Sequence, residues 1–275
     1  MTDATILQTK YNNEFTMNYE QKMSLLRGTI TTEGEVKGNQ FVFIIEGVAD
    51  VAVERAANGL IPVADDTQTS ATCTLREYHH LARKTNFNVY SSSVPQRMSM
   101  QNRGIIAINN RTDQLILDEL ETTANTTGSA VANSLAIMLL ATAILDANYV
   151  PDDGERYGVL TPKAWAQAMR ITQFTSSDFV PDRPFMKYTQ WRMWNGVKWC
   201  RHPNLPGTGT NAAKCFVYHK ASVGHGLNQG EMQTRIGVDE EQDYSWARTT
   251  AYQGAKALLT AGIVQLNHDD TAALS

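Results

Sequence analysis

The segment IIAINNRTDQLILDEL, residues 105–120, indicates the central element of the fold. Within and just beyond it, apolar side chains recur at spacings of three and four or their multiples, the period of one face of an α-helix. They are Ile105, Ile108, Leu115, Ile116, Leu120 and Ala124, and the charged residues Arg111, Asp113, Asp118, Glu119 and Glu121 fill the other faces. Gly104 weakens the pattern, because glycine costs roughly 1 kcal/mol relative to alanine inside a helix. We predict one long amphipathic helix over residues 97–125.

A second helix is predicted after a break at Thr126-Thr127-Gly128. Ser129 is a suitable N-cap, and the helix is expected to end near Asn148. Its centre, LAIMLLATAIL, is too short to span a bilayer, which needs roughly 20 apolar residues. We therefore predict a buried helix. Further along, residues 157–160 predict a strand that leads into a third helix, with Thr161 as N-cap and Pro162 as the first helical residue.

The aromatic segment TQWRMWNGVKWCRH predicts a tight hairpin, because Asn195-Gly196 lies between two strand-like runs. A two-residue turn places Trp194 opposite Val197 and Arg192 opposite Trp199, the last two as a candidate cation–π pair. The tryptophans Trp191, Trp194 and Trp199 could stack on bases or sugars. A small satellite core is the favoured interpretation. The next segment, CFVYHKASVGHG at residues 215–226, is expected to form a strand and then a helix.

The C-terminal stretch TTAYQGAKALLTAGIVQLNHDD, residues 249–270, predicts two strands separated by an Ala-Gly turn. Just before and within it, residues 244–252 alternate between large and small side chains. The small face consists of Ser245, Ala247, Thr249 and Ala251. Small side chains allow close packing, and we expect the long helix to pack there.

Residues 33–86 predict a long hairpin with little core of its own. GNQFVFIIEG, residues 38–47, is a strand bounded by glycines, and turn signals follow at Asn58-Gly59, Pro62 and Asp65-Asp66. An isolated two-stranded hairpin is marginal in water, so this one needs a surface to lie on. The polar residues 1–32 predict an extended arm, which is either disordered or docked on another surface.

Composition excludes several classes of function. The formal net charge is −4, from 24 Lys and Arg against 28 Asp and Glu, and no dense basic cluster is present to grip nucleic acid tightly. The N-terminal sequence lacks the basic and apolar regions of a secretory signal. Three cysteines without zinc or redox spacing predict reduced, structural thiols.

No motif predicts catalysis, a cofactor or a metal. Adjacent His79 and His80 on a strand point to opposite sides and cannot easily share one ion. His219 and His225 lack a glutamate at zincin spacing, so ordinary surface or capping roles are favoured. The segment GTGTNA, residues 207–212, has the residue spacing of a dinucleotide-binding motif. It follows prolines rather than a strand, and we therefore interpret it as a loop.

Several stretches, taken in order, carry a family resemblance. They are NYEQKMSLLRG, EGEVKGNQFVF, RAANGLIP, IIAINNRTDQLILDEL, VPDDGERYGVLTPKAWAQAM, VYHKASVGHG and AYQGAKALLTAGIVQLNH. Together they resemble the major capsid proteins of tailed bacteriophages, which have the HK97-type fold, over nearly the whole chain.

The resemblance implies an α+β, HK97-like fold with five segments. Residues 1–32 would be the N-terminal arm, 33–86 the E-loop hairpin, 87–127 the spine helix and first part of the peripheral (P) domain, 128–222 the axial (A) domain, and 223–275 the C-terminal strands of the P-domain. Residues 249–270 would then be the last P-domain strands, packed on the spine helix through their small face. The arm and the hairpin would lie on neighbouring subunits.

The resemblance also implies a function. The protein would self-assemble through pentamers and hexamers into an icosahedral shell enclosing double-stranded DNA, which it contacts weakly, and would be located in the virion after assembly in the host bacterial cytoplasm. A separate scaffolding protein, a portal protein and decoration proteins are the expected partners, with no membrane involved. Some members of that family carry a removable scaffolding segment or cross-link Lys to Asn between subunits, and the sequence indicates neither property for this chain. Subunit-interface candidates are Arg55, Asn58, Gly59, Leu60, Pro62, Asp65 and Asp66.

Two alternatives remain open at this stage. An encapsulin-type nanocompartment has the same fold but carries a cargo enzyme instead of DNA. A cytosolic metal-dependent hydrolase using His79, His219 or His225 is the less favoured alternative.

Overall fold

The computed structural model describes residues 23–47, 52–55, 57–61, 63, 67–91, 96–175, 190–228 and 232–273. Its helices are α1 Asn86–Ser91, α2 Gln96–Leu120, α3 Leu135–Ala147, α4 Pro162–Ala168 and α5 Thr172–Thr175, with short 3₁₀ turns at Arg27–Thr29, Lys220–Ser222 and Thr260–Gly262. Its strands are β1 Thr31–Val36, β2 Gln40–Glu46, β3 Gln68–Thr74, β4 Arg76–Thr85, β5 Arg156–Leu160, β6 Arg192–Trp194, β7 Val197–Arg201, β8 Ala213–His219, β9 Val223–Asn228, β10 Gln233–Asp239, β11 Tyr244–Ala257 and β12 Ile263–His268.

The first sheet is built around the long strand β11. Strand β4 pairs antiparallel along one side of β11, while β10 and β9 pair with successive parts of its other side, and β1 adds to β9 in parallel. Helix α2 packs across β11. The predicted small face is buried, namely Ser245, Ala247, Thr249 and Ala251, which confirms the expected packing of the long helix on it.

Helix α2 starts as predicted and ends at Leu120 instead of residue 125. Ile108, Ile116 and Leu120 are buried, whereas Ile105 and Leu115 are only half-buried. The assignment of Asp113 to a charged outer face is wrong, because its side chain is buried. The buried face of the helix thus includes a carboxylate that periodicity alone treats as exposed.

The second sheet has the order β12-β8-β5-β7-β6 and forms the main core with α3 and α4. Its central strand β5 is buried at every position. Since β12 pairs with β8, the expectation that both C-terminal strands join the sheet under α2 is correct for β11 and wrong for β12. Residues 223–275 therefore contribute to both sheets, and the proposed domain limits remain predictions.

Helix α3 begins at Leu135 rather than near Ser129. The reason lies in β12: Thr126 and Val131 form bridges with Gln265 and His268, which keep the preceding segment extended. The prediction of a fully buried helix is wrong as well, because α3 buries one stripe and leaves Leu139 and other side chains exposed.

Two local predictions are confirmed in detail. Thr161 caps α4, its Oγ1 accepting a hydrogen bond from Ala164 N at 3.1 Å, and Pro162 is the first helical residue. Asn195 and Gly196 both adopt positive φ, 50° and 72°, as a type I′ turn requires.

The register of this hairpin places Trp194 opposite Val197 and Arg192 opposite Trp199, as predicted. The Arg192 guanidinium instead lies over Trp165, 5.3 Å from its ring centroid. Trp199 does not form the predicted cation–π pair with Arg192, because it is fully buried in the main core. Trp191 and Trp194 also pack against this core. The cluster is therefore part of the main core rather than a satellite.

The helix expected within residues 215–226 is a strand. Val223–Asn228 forms β9, held between β1 and β11. Its glycines allow close approach: an added Cβ on Gly224 would lie 2.6 Å from the Phe43 ring. Residues 33–86 likewise do not form one hairpin. Only β2 and β3 pair with each other, whereas β1 and β4, at the two ends, belong to the first sheet.

Candidate assembly surfaces

The β2–β3 hairpin stands on the first sheet through its base. Phe43 packs against Gly224 of β9, Phe41 contacts Phe43 edge to face at 4.8 Å between ring centroids, and Cys73 is buried. Leu75 N donates to Asn39 O at 2.8 Å, which closes the base. Beyond it, β2 and β3 share a two-stranded sheet in which Cys73 is the one buried position.

The described part of the hairpin tip carries exposed apolar side chains. Leu60 is 95% exposed, Val63 91%, Ile61 73% and Val53 71%. Several large apolar side chains, close in sequence and almost fully exposed, are typical of an interaction site. Asn58 turns the chain with a φ of 63°, a conformation that asparagine tolerates.

The interface candidates are placed at this tip as far as the structure describes them. Arg55, Asn58 and Leu60 are exposed, and Gly59 is half-buried. Pro62, Asp65 and Asp66 lie outside the described residues. Ile61 and Val63 lie inside the range 58–66 that the sequence indicated as the interface, whereas Val53 lies outside it, although it is also an apolar residue of this turn-rich stretch.

A buried carboxylate anchors the chain where the N-terminal segment meets α2. Asp113 Oδ1 accepts hydrogen bonds from Ser24 Oγ at 2.5 Å and Leu26 N at 3.1 Å. Its Oδ2 accepts from Leu25 N at 3.1 Å and from His202 Nε2 at 3.3 Å. Asn204 N donates to His202 Nδ1, which assigns the ring proton to Nε2. One side chain thus joins the start of the described chain, the long helix and the loop after β7.

A second buried carboxylate closes the C-terminal end. Asp270 Oδ1 accepts from Thr161 Oγ1 at 2.6 Å, and its Oδ2 accepts from Gly209 N at 2.7 Å. His268 Nε2 lies 3.1 Å from Asp270 Oδ1. The segment GTGTNA is a loop, as predicted, and Asp270 fixes it to the N-terminus of α4.

The histidines occupy separate environments. His79 Nδ1 lies 2.9 Å from Thr250 Oγ1 on one face of the first sheet, while His80 lies on the opposite face, beside Gly104 and Thr249. His219 Nε2 lies 3.2 Å from Asp153 Oδ1. Among the described residues, no group of three or more His, Cys, Asp or Glu side chains is arranged to hold a metal ion.

His225 is fully buried under α2, 3.3 Å from Gln253 Oε1 through its Nε2. Burial lowers its pKa from 6.5 to about 4, with Arg27 adding to the effect and the Gln253 hydrogen bond opposing it. The folded state therefore holds a neutral ring at a pH where the unfolded chain is protonated.

We predict that stability falls as the pH drops from about 6.5 to about 4, by roughly 3 kcal/mol from this residue, since each pKa unit corresponds to about 1.4 kcal/mol. Urea unfolding between about pH 7 and pH 4 measures the slope. The His225→Gln variant, which cannot titrate, should lose that part of the slope. Equal slopes in the two proteins would contradict the prediction.

The three cysteines Cys73, Cys200 and Cys215 are free and buried, as the sequence predicts. Burial raises the pKa of Cys200 and of Cys215 to about 12. Within the described chain, no helix combines the length and apolar character needed to cross a membrane.

Comparison with known proteins identifies the family. The sequence model of the family described as "Phage capsid protein" matches residues 3–270, so the chain belongs to this family. No curated protein sequence matches the chain. The fold is similar to that of a solved protein of Mycobacterium phage Che8, with a TM-score of 0.77 at 17% identity, covering 99% of this chain and 100% of the other.

Two further solved structures share the fold. One is titled "Capsid of native GTA particle", with a TM-score of 0.75 at 10% identity, covering 97% of this chain and 96% of the other. The other is the capsid of Ralstonia phage GP4, with a TM-score of 0.69 at 10% identity and 96% coverage of both chains. The fold is thus HK97-like, as the sequence predicts.

Family and fold together define the chain as the major capsid protein of a tailed phage. It is a structural protein that self-assembles into a capsid shell and is located in the virion. The encapsulin alternative is not favoured.

Proposed function

We propose that this protein assembles through pentamers and hexamers into a closed icosahedral shell around double-stranded DNA. Assembly takes place in the bacterial host cytoplasm with a separate scaffolding protein, and a portal protein and decoration proteins complete the particle. Contacts between the copies close under symmetry, which limits the shell to a finite size.

The observation that carries this proposal is the exposed apolar tip of the β2–β3 hairpin. The hairpin has almost no core of its own, and its tip exposes Leu60, Ile61 and Val63. A two-stranded hairpin is only marginally stable alone in water and becomes stable when it packs on another surface. In a shell of identical subunits that surface belongs to a neighbouring copy, so the tip becomes buried on assembly.

The five segments predicted from the resemblance remain part of the proposal. Residues 1–32 act as the arm and 33–86 as the E-loop. Residues 87–127 contain the spine helix of the P-domain, 128–222 form the A-domain and 223–275 complete the P-domain. The two sheets support a P-domain built on the first sheet with α2 and an A-domain built on the second sheet with α3 and α4; β4, within 33–86, joins the first sheet, and β12, within 223–275, joins the second.

The charge of the protein supports weak contact with DNA. A wall with a net charge of −4 per subunit repels a polyanion at long range, which keeps packaged DNA mobile. Nuclease-protected double-stranded DNA inside purified particles is the expected content. A cargo enzyme without DNA would instead indicate a nanocompartment.

Substitution of the tip provides the direct test. The Leu60→Asp/Ile61→Asp variant places two charges where burial between copies is proposed, and shell yield should fall by at least about tenfold because burying unpaired charges is costly. The melting temperature of the isolated subunit should stay within about 2 °C of wild type, since both side chains are exposed there.

The matched control is Leu60→Met/Ile61→Val, which keeps the tip apolar and should assemble normally. Shells are counted as the fraction of protein that sediments rapidly, with electron microscopy of that fraction. Normal shell yield from the charged variant would remove the main support for burial of the tip between copies.

A further inference from the structure

Helix α3 has a second apolar side that no described part of the chain covers. Its first stripe, formed by Met138, Ala141, Thr142 and Leu145, is buried against the second sheet. The opposite side carries Ala136, Leu139, Leu140, Ala143 and Ala147, at spacings of three, one, three and four residues, and all five are exposed. Leu139 is 42% exposed and Leu140 45%. A helix that is apolar on all sides is expected to be buried on all sides.

The surface leading to α3 is also free of charge. Residues 122–145 contain no Asp, Glu, Lys or Arg, although many of them are exposed. Their first part runs along β12, the edge strand of the second sheet, through the bridges of Thr126 and Val131. Charge returns only at Asp146, which pairs with Arg156 at 2.8 Å. Loss of charged residues distinguishes the core of a protein interface from ordinary surface.

The lack of charge on this surface limits the kind of partner that can bind to it. A surface without cations has nothing to bind the phosphates of DNA. It equally lacks charges to pair with an acidic or basic protein segment. A shell places many copies of one chain around each subunit, and an uncharged apolar stripe of two leucines flanked by alanines allows a second copy to pack closely.

We propose that the outer stripe of α3, residues 136, 139, 140, 143 and 147, packs against a second copy of this chain in the assembled shell. This rests on the proposed function, because it needs the shell to exist. It adds an interface that is separate from the hairpin tip. The tip belongs to the β2–β3 hairpin and the stripe to α3 on the second sheet, so each can be tested without altering the other.

The first test places a thiol at the stripe with Leu140→Cys. In dissociated subunits a hydrophilic maleimide should label it readily, because position 140 is exposed. In intact shells the labelling rate should fall at least about tenfold, as for a side chain inside an interface core. The native thiols Cys73, Cys200 and Cys215 are buried in the subunit and serve as the control, since they should stay unlabelled in both states.

The second test compares Leu140→Glu with Leu140→Met. Both subunits should fold with nearly the wild-type melting temperature, but only Leu140→Met should form shells. Equal labelling of the introduced thiol in subunits and shells, or normal shells from Leu140→Glu, overturns the proposal. Protection that appears only in particles containing another protein assigns the stripe to that protein and overturns the second copy as occupant. Absence of shells from the wild-type chain under all conditions would instead contradict the proposed function itself.

Discussion

Replacement of Asp113 by asparagine is expected to lower the free energy of unfolding by about 3–5 kcal/mol, because it breaks a buried, charge-assisted network. Each carboxylate oxygen of Asp113 accepts two hydrogen bonds, from Ser24 and Leu26 at Oδ1 and from Leu25 and His202 at Oδ2. An amide has only one acceptor oxygen. Whichever oxygen becomes the NH₂ group, a backbone N–H then faces a donor: Leu26 N at the Oδ1 position, or Leu25 N together with His202 Nε2 at the Oδ2 position.

Thermal and urea unfolding of the purified subunit measure this effect. For a chain of this size we expect the melting temperature to fall by roughly 10 °C. Asp118→Asn is the matched control: Asp118 is on the same helix but exposed, and accepts a hydrogen bond from Gln114 Nε2. The Asp118→Asn change should alter the free energy of unfolding by less than about 0.5 kcal/mol. An equally small decrease for Asp113→Asn would contradict the anchoring role of Asp113.

The same substitution should also release residues 24–26, because Asp113 holds them on α2 through hydrogen bonds. Without the anchor, residues around Ser24 should become accessible to proteases well below the melting temperature. Limited proteolysis followed by mass spectrometry locates the cleavage. We expect early cutting near Ser24 and Leu26 in Asp113→Asn and intact chain in Asp118→Asn.

Replacement of Gly104 by alanine should lower the free energy of unfolding by about 3 kcal/mol, although alanine favours helices. A Cβ at this position would lie 2.2 Å from Thr249 Oγ1 and 3.0 Å from Thr249 Cβ. Contacts of that length force α2 and β11 apart at this position, which weakens the close packing between them. Chemical unfolding of the subunit gives the magnitude.

A double-mutant cycle separates this steric cause from a general effect of the substitution. Thr249→Ala removes the oxygen that is closest to the added Cβ. The Gly104→Ala/Thr249→Ala variant should therefore be more stable than the sum of the two single changes predicts, by about 1–2 kcal/mol. Strict additivity, or stabilisation by Gly104→Ala alone, would show that the helix and strand are not in close contact here.

At Gly104 the sequence predicted the helix correctly but did not indicate why a glycine is needed there. Periodicity predicted α2 and treated the glycine as a weakness. In the structure the glycine lies directly against Thr249 on the small face of β11, where an added Cβ has no room. Helix propensity concerns a single element, whereas the distance between two elements depends on residues far apart in the chain.

Helix caps and turns were predictable where the residues that form them are close in sequence. The Thr161 cap of α4 and the Asn195-Gly196 turn are both local arrangements, and both are confirmed. Asp113 and Asp270 were not predictable in the same way. Their partners Ser24 and Thr161 are distant in the chain, so their burial depends on tertiary structure.

Strand pairing explains the larger errors. Ser129 satisfied the rule for a helix start, but the bridges of Thr126 and Val131 to β12 hold this segment extended. Val223–Asn228 was expected to be helical, yet pairing with β1 and β11 on both sides makes it a strand. Similarly, the outward orientation of Leu139 and Leu140 could not be inferred from a helix that is apolar on every side.

Electron microscopy of the wild-type protein tests the central claim most directly. Negative-stain images should be recorded for the protein expressed alone and then together with its neighbouring genes. The account predicts closed shells or capsomer rings in at least one of the two conditions. A uniform population of monomers or dimers in both would contradict assembly into a capsid shell.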